Sequence, residues 1–106
     1  MWPQFAIVRL PEDPDCLAVL GEIDICTAPQ LRGSLRSAVR AAGRGTLVMV
    51  DLSAVSFIDA RGLTTLVEAE AYASVRGIRL VFAGVPVGVT RLLTIIGLSL
   101  TGYGTC

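Results

Sequence analysis

The sequence predicts an α/β domain built on a mixed sheet, with the element order ββαβαβαβ. Three observations carry this. The apolar periodicity changes repeatedly between strand-like and helix-like spacing. The first two strand-like runs are separated only by PEDPD, short enough for an antiparallel hairpin. Residues 46–52 (TLVMVDL) are almost wholly apolar, as in a central strand covered on both faces.

The elements follow in order. Residues 5–10 read as the first strand and residues 16–21 (CLAVLG) as the second, with the prolines and acids of PEDPD as the turn between them. The segment TAPQLRGSLRSAVRAAG predicts the first helix. Thr27 is its expected N-cap, with Gln30 as the other half of a capping box. Pro29 falls in the first turn, where its missing N–H costs nothing. Leu31, Leu35, Ala38 and Ala42 make one apolar face, and Gly43 ends the helix. Arg32, Arg36 and Arg40 recur at i, i+4 on another side; the expectation is a solvated helix face rather than a phosphate-binding stripe. After the central strand, SAVSFI reads as a connection, with Asp51 steadying the turn and Asp59 capping a second helix. Leu63, Leu66 and Val67 carry that helix toward Gly77, and residues 78–83 (IRLVFA) form a fourth strand. Pro86 opens a third helix, with Val89, Leu92, Leu93 and Ile96 at i, i+3, i+4, i+7 and Gly97 closing it. Residues 100–103 suit a short last strand at an edge.

Composition narrows the function. The chain has 106 residues, read as one domain over 1–106, and 53% are hydrophobic, which excludes a disordered chain. Nine basic residues, all arginine, balance nine acidic ones; a formal net charge of +0 argues against direct nucleic-acid binding. There is no histidine, which removes the usual general base and the commonest metal ligand. Cys16, Cys26 and Cys106 form no C-x-x-C pair, so no metal site is expected. Their odd number, with no secretory signal, points to a reducing, cytoplasmic compartment. The most apolar region, 80–100, is broken by Pro86, Arg91 and glycines and is too short for a membrane span. No phosphate-cradling glycine motif is present to support a nucleotide-binding domain, the competing reading from another class. No elbow serine or paired carboxylates suggest an enzyme, and no cofactor is expected.

Sites in open α/β sheets gather at the carboxyl ends of strands, here GEIDICT and FIDARG. The candidate contact residues are Asp24, Cys26, Thr27, Ser56, Asp59, Ala60, Arg61, Gly62 and Thr64. Asp59 is expected first as a helix cap, Asp24 as a brace for its loop, and Gly62 as a point of close backbone approach. Arg61 is the expected energetic anchor, arginine being enriched at interface hot spots. Cys26 is expected as a small buried hydrophobe, with a redox role shared with Cys106 as the alternative.

At these loops the sequence resembles the STAS domain family. GEIDICTAPQLRGSL is similar to the stretch in which G-x-[LIV]-D precedes a helix start, VDLSAVSFIDARGLTTLVEA resembles the family's D-L-S/G-x-V and F-[ILM]-D-S-[ST]-G-L segment, and VTRLLTIIGL also fits. The resemblance covers nearly the whole chain and is strongest to anti-sigma factor antagonists. It implies a protein-docking module rather than an enzyme, whose partner is an anti-sigma factor of the serine kinase type. In that scheme the unphosphorylated antagonist binds the kinase and frees a sigma factor, and phosphorylation of the serine after the aspartate ends binding. Here that position is Ala60, which cannot accept a phosphate. The resemblance therefore implies a constitutive binder, or one controlled through Ser56, Thr64, Thr65 or cysteine oxidation. It also implies a C-terminal helix that this chain, ending at TGYGTC, lacks. Either the chain is naturally short, or a homotypic (homodimer) or partner contact covers the gap. The alternative within the family is a STAS subunit of a lipid-transport ABC complex or of a stress-signalling complex.

Overall fold

Leu17, Val19, Val48, Val50, Leu52, Leu80 and Phe82 alternate along three neighbouring strands and put their side chains into one core. The computed structural model describes residues 5–85. The predicted third helix from Pro86, the last strand at 100–103 and Cys106 lie outside the described residues.

The elements are β1 (Ala6–Leu10), β2 (Asp13–Ile23), α1 (Ala28–Ala41), β3 (Leu47–Ile58), α2 (Ala60–Val75) and β4 (Arg79–Ala83). They form a mixed sheet in the order β1-β2-β3-β4. β1 pairs antiparallel with β2, while β2–β3 and β3–β4 are parallel. Each parallel step crosses over through a helix, and two right-handed crossovers stepping the same way place α1 and α2 on one face. The helices pack against each other there. Leu31, Leu35, Ala38 and Val39 of α1 and Leu66, Ala69 and Ala73 of α2 close the core against the sheet.

Three boundaries differ from the sequence expectation. The hairpin turn is confined to Pro11 and Glu12, and β2 already pairs at Asp13, opposite Leu10. The register slips between Arg9 and Leu10, so the chain between Asp13 and Leu17 bulges, a place where proline's missing donor is tolerated.

SAVSFI is strand rather than connection. β3 continues through it to Ile58, pairing Ala54, Val55, Phe57 and Ile58 with Leu20, Gly21, Glu22 and Ile23. Two register shifts absorb the extra residues. Asp51 serves the first of these, not a terminal turn: its Oδ1 accepts from the Ser53 N–H at 2.9 Å. The strand pattern was hidden because bulges break the two-residue alternation.

At α1, finally, no capping box forms. Thr27 has helical backbone angles and makes no side-chain cap bond to the helix.

Candidate functional site

Strands β2 and β3 each end in an isoleucine followed by an aspartate, and Ile23 pairs with Ile58 in register. The two strand-to-helix junctions therefore start side by side. They also share one hydrogen-bond plan. Asp24 Oδ1 accepts from the Thr27 N–H at 3.1 Å, and its main-chain oxygen accepts from Ala28 N–H at 2.8 Å. Asp59 Oδ1 accepts from the Gly62 N–H at 2.9 Å, and its main-chain oxygen accepts from Leu63 N–H at 2.9 Å. Each aspartate satisfies the third amide ahead with its carboxylate and the fourth with its carbonyl, which is what a helix N-cap does. Asp24 is thus the effective cap of a turn that runs on into α1. Its Oδ1 also accepts from the Cys26 N–H at 2.9 Å.

The junctions are tied together. The Asp59 N–H donates to the Ile23 carbonyl at 3.1 Å. A Cβ on Gly62 would lie 2.6 Å from Ile23 Cγ2 and 2.8 Å from Ile23 O, so only glycine lets α2 start against the end of β2. On the other side, the Thr27 hydroxyl accepts from the Asp24 N–H at 2.9 Å and donates to the Glu22 carbonyl at 2.8 Å. The expected helix cap instead locks its own loop onto the end of β2.

With the backbones fixed, the first two residues after each aspartate face solvent. These are Ile25 and Cys26 on one loop and Ala60 and Arg61 on the other. Cys26 is exposed, contrary to the expected buried hydrophobe, because its loop is held by main-chain and Asp24 bonds and needs no packing from it. Ala60 is the first residue of α2 and Arg61 the second. A cation there opposes the helix dipole at a cost of about 0.3–1 kcal/mol. No ion pair among the described residues offsets it. Arg61 therefore sits where folding does not favour it, as an interaction residue does.

The remaining candidates sit around this pair. Thr64 is exposed one turn into α2, its hydroxyl donating to the Ala60 carbonyl at 3.0 Å. Thr65 is buried, 1% exposed, and bonded to the Arg61 carbonyl, which removes it as an accessible phosphorylation position. Ser56 is exposed on β3, with its hydroxyl 3.4 Å from the Gly21 carbonyl.

Two apolar neighbours escaped sequence reasoning. Ile25 is 64% exposed and Phe57 51% exposed. The signal for Ile25 was the repeated Ile-Asp dipeptide, which aligns Ile25 with Ala60. Phe57 gave none, since it reads as an ordinary strand residue. Among the described residues, no group of His, Cys, Asp and Glu is arranged to hold a metal ion, and no helix is long and apolar enough to cross a membrane.

The two loops thus expose Ile25, Cys26, Ala60 and Arg61 at adjacent junctions of an α/β fold. Residues 7–100 match the family described as "Mlab, STAS domain", and the chain belongs to this family.

The solved structures agree on the fold. The anti-sigma factor antagonist SpoIIAA in its unphosphorylated form superposes with a TM-score of 0.69 at 16% identity, over 94% of this chain and 89% of that one. The phosphorylated form of SpoIIAA, a Bacillus cell fate determinant, gives 0.70 at 15% identity, over 92% and 89%. An anti-sigma factor antagonist from Mycobacterium paratuberculosis gives 0.65 at 23% identity, over 94% and 86%. No curated protein sequence matches the chain significantly.

Proposed function

We propose that this protein is a cytoplasmic, non-enzymatic docking module, bacterial like the antagonists it resembles. It acts as one domain over residues 1–106 and binds an anti-sigma factor of the serine kinase type to release a sigma factor. The observation that carries the reading is the exposed start of α2, Asp59-Ala60-Arg61, held rigid against the end of β2 in a fold shared with anti-sigma factor antagonists. Ile25, Cys26, Phe57, Arg61 and Thr64 make the contact, and Asp24, Thr27, Ser56, Asp59 and Gly62 hold it in place.

Ala60 makes the binding constitutive. A phosphate at this first helical position would add a charge of about −1.5 to −2 beside the Asp59 carboxylate in the middle of this surface. With a methyl group there, no such switch operates. The regulated form of the same reading uses oxidation of the exposed Cys26 thiol, which would place a polar adduct on the same surface.

The test is a binding assay against the anti-sigma kinases of the source organism, with ATP present and phosphate followed by mass spectrometry. The expected result is a stable complex with no phosphate on the wild-type chain, while Ala60→Ser accepts one phosphate and dissociates. Binding that survives reduction but is lost after hydrogen peroxide assigns the Cys26 input. A wild-type chain that binds none of the kinases ends the antagonist reading.

The second reading within the STAS family is a subunit of a lipid-transport ABC complex or of a stress-signalling complex. Co-purification with the transporter's ATPase subunit, in place of any kinase, would establish the transport complex. Sedimentation equilibrium separates a homodimer from a monomer under either reading.

A further inference from the structure

α1 carries Arg32, Arg36 and Arg40 and no acidic residue. This face is partly to fully exposed, and all three arginines turn toward α2 across it. Arg32 Nη2 lies 3.6 Å from Glu68 Oε1. One turn further on, the guanidinium carbons of Arg36 and Arg76 each lie 4.9 Å from the centre of the Tyr72 ring. Arg40 Nη1–H donates to the Tyr72 hydroxyl at 3.2 Å. Three guanidinium groups thus converge on one half-buried phenol.

A cation over a ring face uses none of its N–H donors in a hydrogen bond. Among the described residues, no carboxylate pairs with Arg36, Arg40 or Arg76. The phenol registers the arrangement: its pKa is held below the ordinary tyrosine value, first by the Arg40 hydrogen bond, against the opposing effect of burial, with the charges of Arg76, Arg40 and Arg36 adding to the lowering. Arg61 lies on the same line of α2 as Glu68 and Tyr72, since the spacings place all three on one helical face. The arginine cluster therefore shares a face of α2 with Arg61 at the proposed docking site, with the Arg32–Glu68 pair between them.

We propose that this α1–α2 seam docks an acidic segment of a protein partner, whose Asp and Glu carboxylates are held by Arg36, Arg40 and Arg76 around Tyr72. Arginine suits this role because its planar fork receives a carboxylate through two parallel bonds. Charge complementarity selects the occupant. A nucleic acid or an anionic membrane needs an extended positive field, but the chain is neutral overall, and Glu12, Asp13 and Asp15 cluster at the β1–β2 tip. A small free anion needs a concave site. Two open grooves among the described residues, of about 410 and 420 Å³, are lined elsewhere, one by Ile7, Arg9 and Leu17 and the other by Val67, Glu70 and Ile78.

The inference deepens the docking reading and rests on it for the partner's identity, not for the partner's charge. The test uses the isotope-labelled chain, a Glu-rich helical peptide and its Gln-substituted copy. The Glu peptide should shift the amide signals of Arg36, Arg40, Tyr72 and Arg76, and the Gln copy should not. Arg40→Gln with Arg76→Gln should weaken the peptide, and the anti-sigma kinase, about tenfold, while Arg40→Lys with Arg76→Lys recovers part of the loss. Equal shifts from both peptides, or shifts produced only by duplex DNA or phosphatidylglycerol vesicles, overturn the proposal. If the kinase binds the Gln double variant as well as wild type, the seam proposal fails alone. If no kinase binds but the Glu peptide still lands on the seam, the antagonist reading fails and the seam stands.

Discussion

The two strand-to-helix junctions begin with the same dipeptide and the same cap, and are closed differently at the third residue after the aspartate. Thr27 closes the β2–α1 junction, and Gly62 closes the β3–α2 junction. Thr27 uses its hydroxyl to bind the loop back onto Glu22 and Asp24. Gly62 has no side chain because the Ile23 carbonyl occupies that space. One junction is held by an added side-chain bond and the other by the absence of a side chain. The lesson is that two similar caps can be fixed by opposite means. Together they present two exposed pairs, Ile25 with Cys26 and Ala60 with Arg61, at a fixed spacing.

The comparison breaks most easily at Gly62. Glycine to alanine inside a helix ordinarily gains about 1 kcal/mol, but here the new methyl meets a backbone carbonyl that cannot move aside. Gly62→Ala should therefore lose about 1–3 kcal/mol, read as a lower urea midpoint with an unchanged slope. Gly33, in the middle of α1 with open space around it, is the control; Gly33→Ala should gain about 0.5–1 kcal/mol.

The shared cap sharpens the comparison. Asp24→Ala and Asp59→Ala should each cost about 1 kcal/mol. Their double variant should cost less than the sum, because the Asp59 N–H and the Ile23 carbonyl join the two loops. A strictly additive cycle would show the junctions to be independent. Thr27→Val, which keeps the shape and removes the hydroxyl, should cost about 0.5–1.5 kcal/mol. Glu68→Ala, at a half-exposed ion pair on the helix seam, should cost less than about 0.5 kcal/mol.

The seam adds a pH prediction. In a Tyr103→Phe background, spectrophotometric titration should show Tyr72 ionising below its ordinary value of 10.0, and Arg40→Gln should move it back up. A lowered folded-state pKa favours the phenolate, so its effect on stability appears only as pH rises through the phenol's folded value and is absent at neutral pH. A titration unchanged by Arg40→Gln would remove the hydrogen bond as the main cause.

The sequence by itself determined the α/β class, the antiparallel hairpin followed by parallel strands, the apolar face of α1 and the Asp59 cap. These follow from local periodicity and from short-range side-chain-to-backbone bonds, which a single segment carries within itself. The same local pattern could not show that β3 runs on to Ile58, since bulges disturb alternation and only pairing with β2 reveals the strand. Nor could it show that Thr27 turns back to Glu22, that Cys26 is exposed, or that Arg36, Arg40 and Arg76 meet at Tyr72. Those outcomes depend on residues far apart in the chain being brought together. Helix α1 and helix α2 share a seam only because two crossovers step the same way over one sheet, and that step is a property of the folded whole.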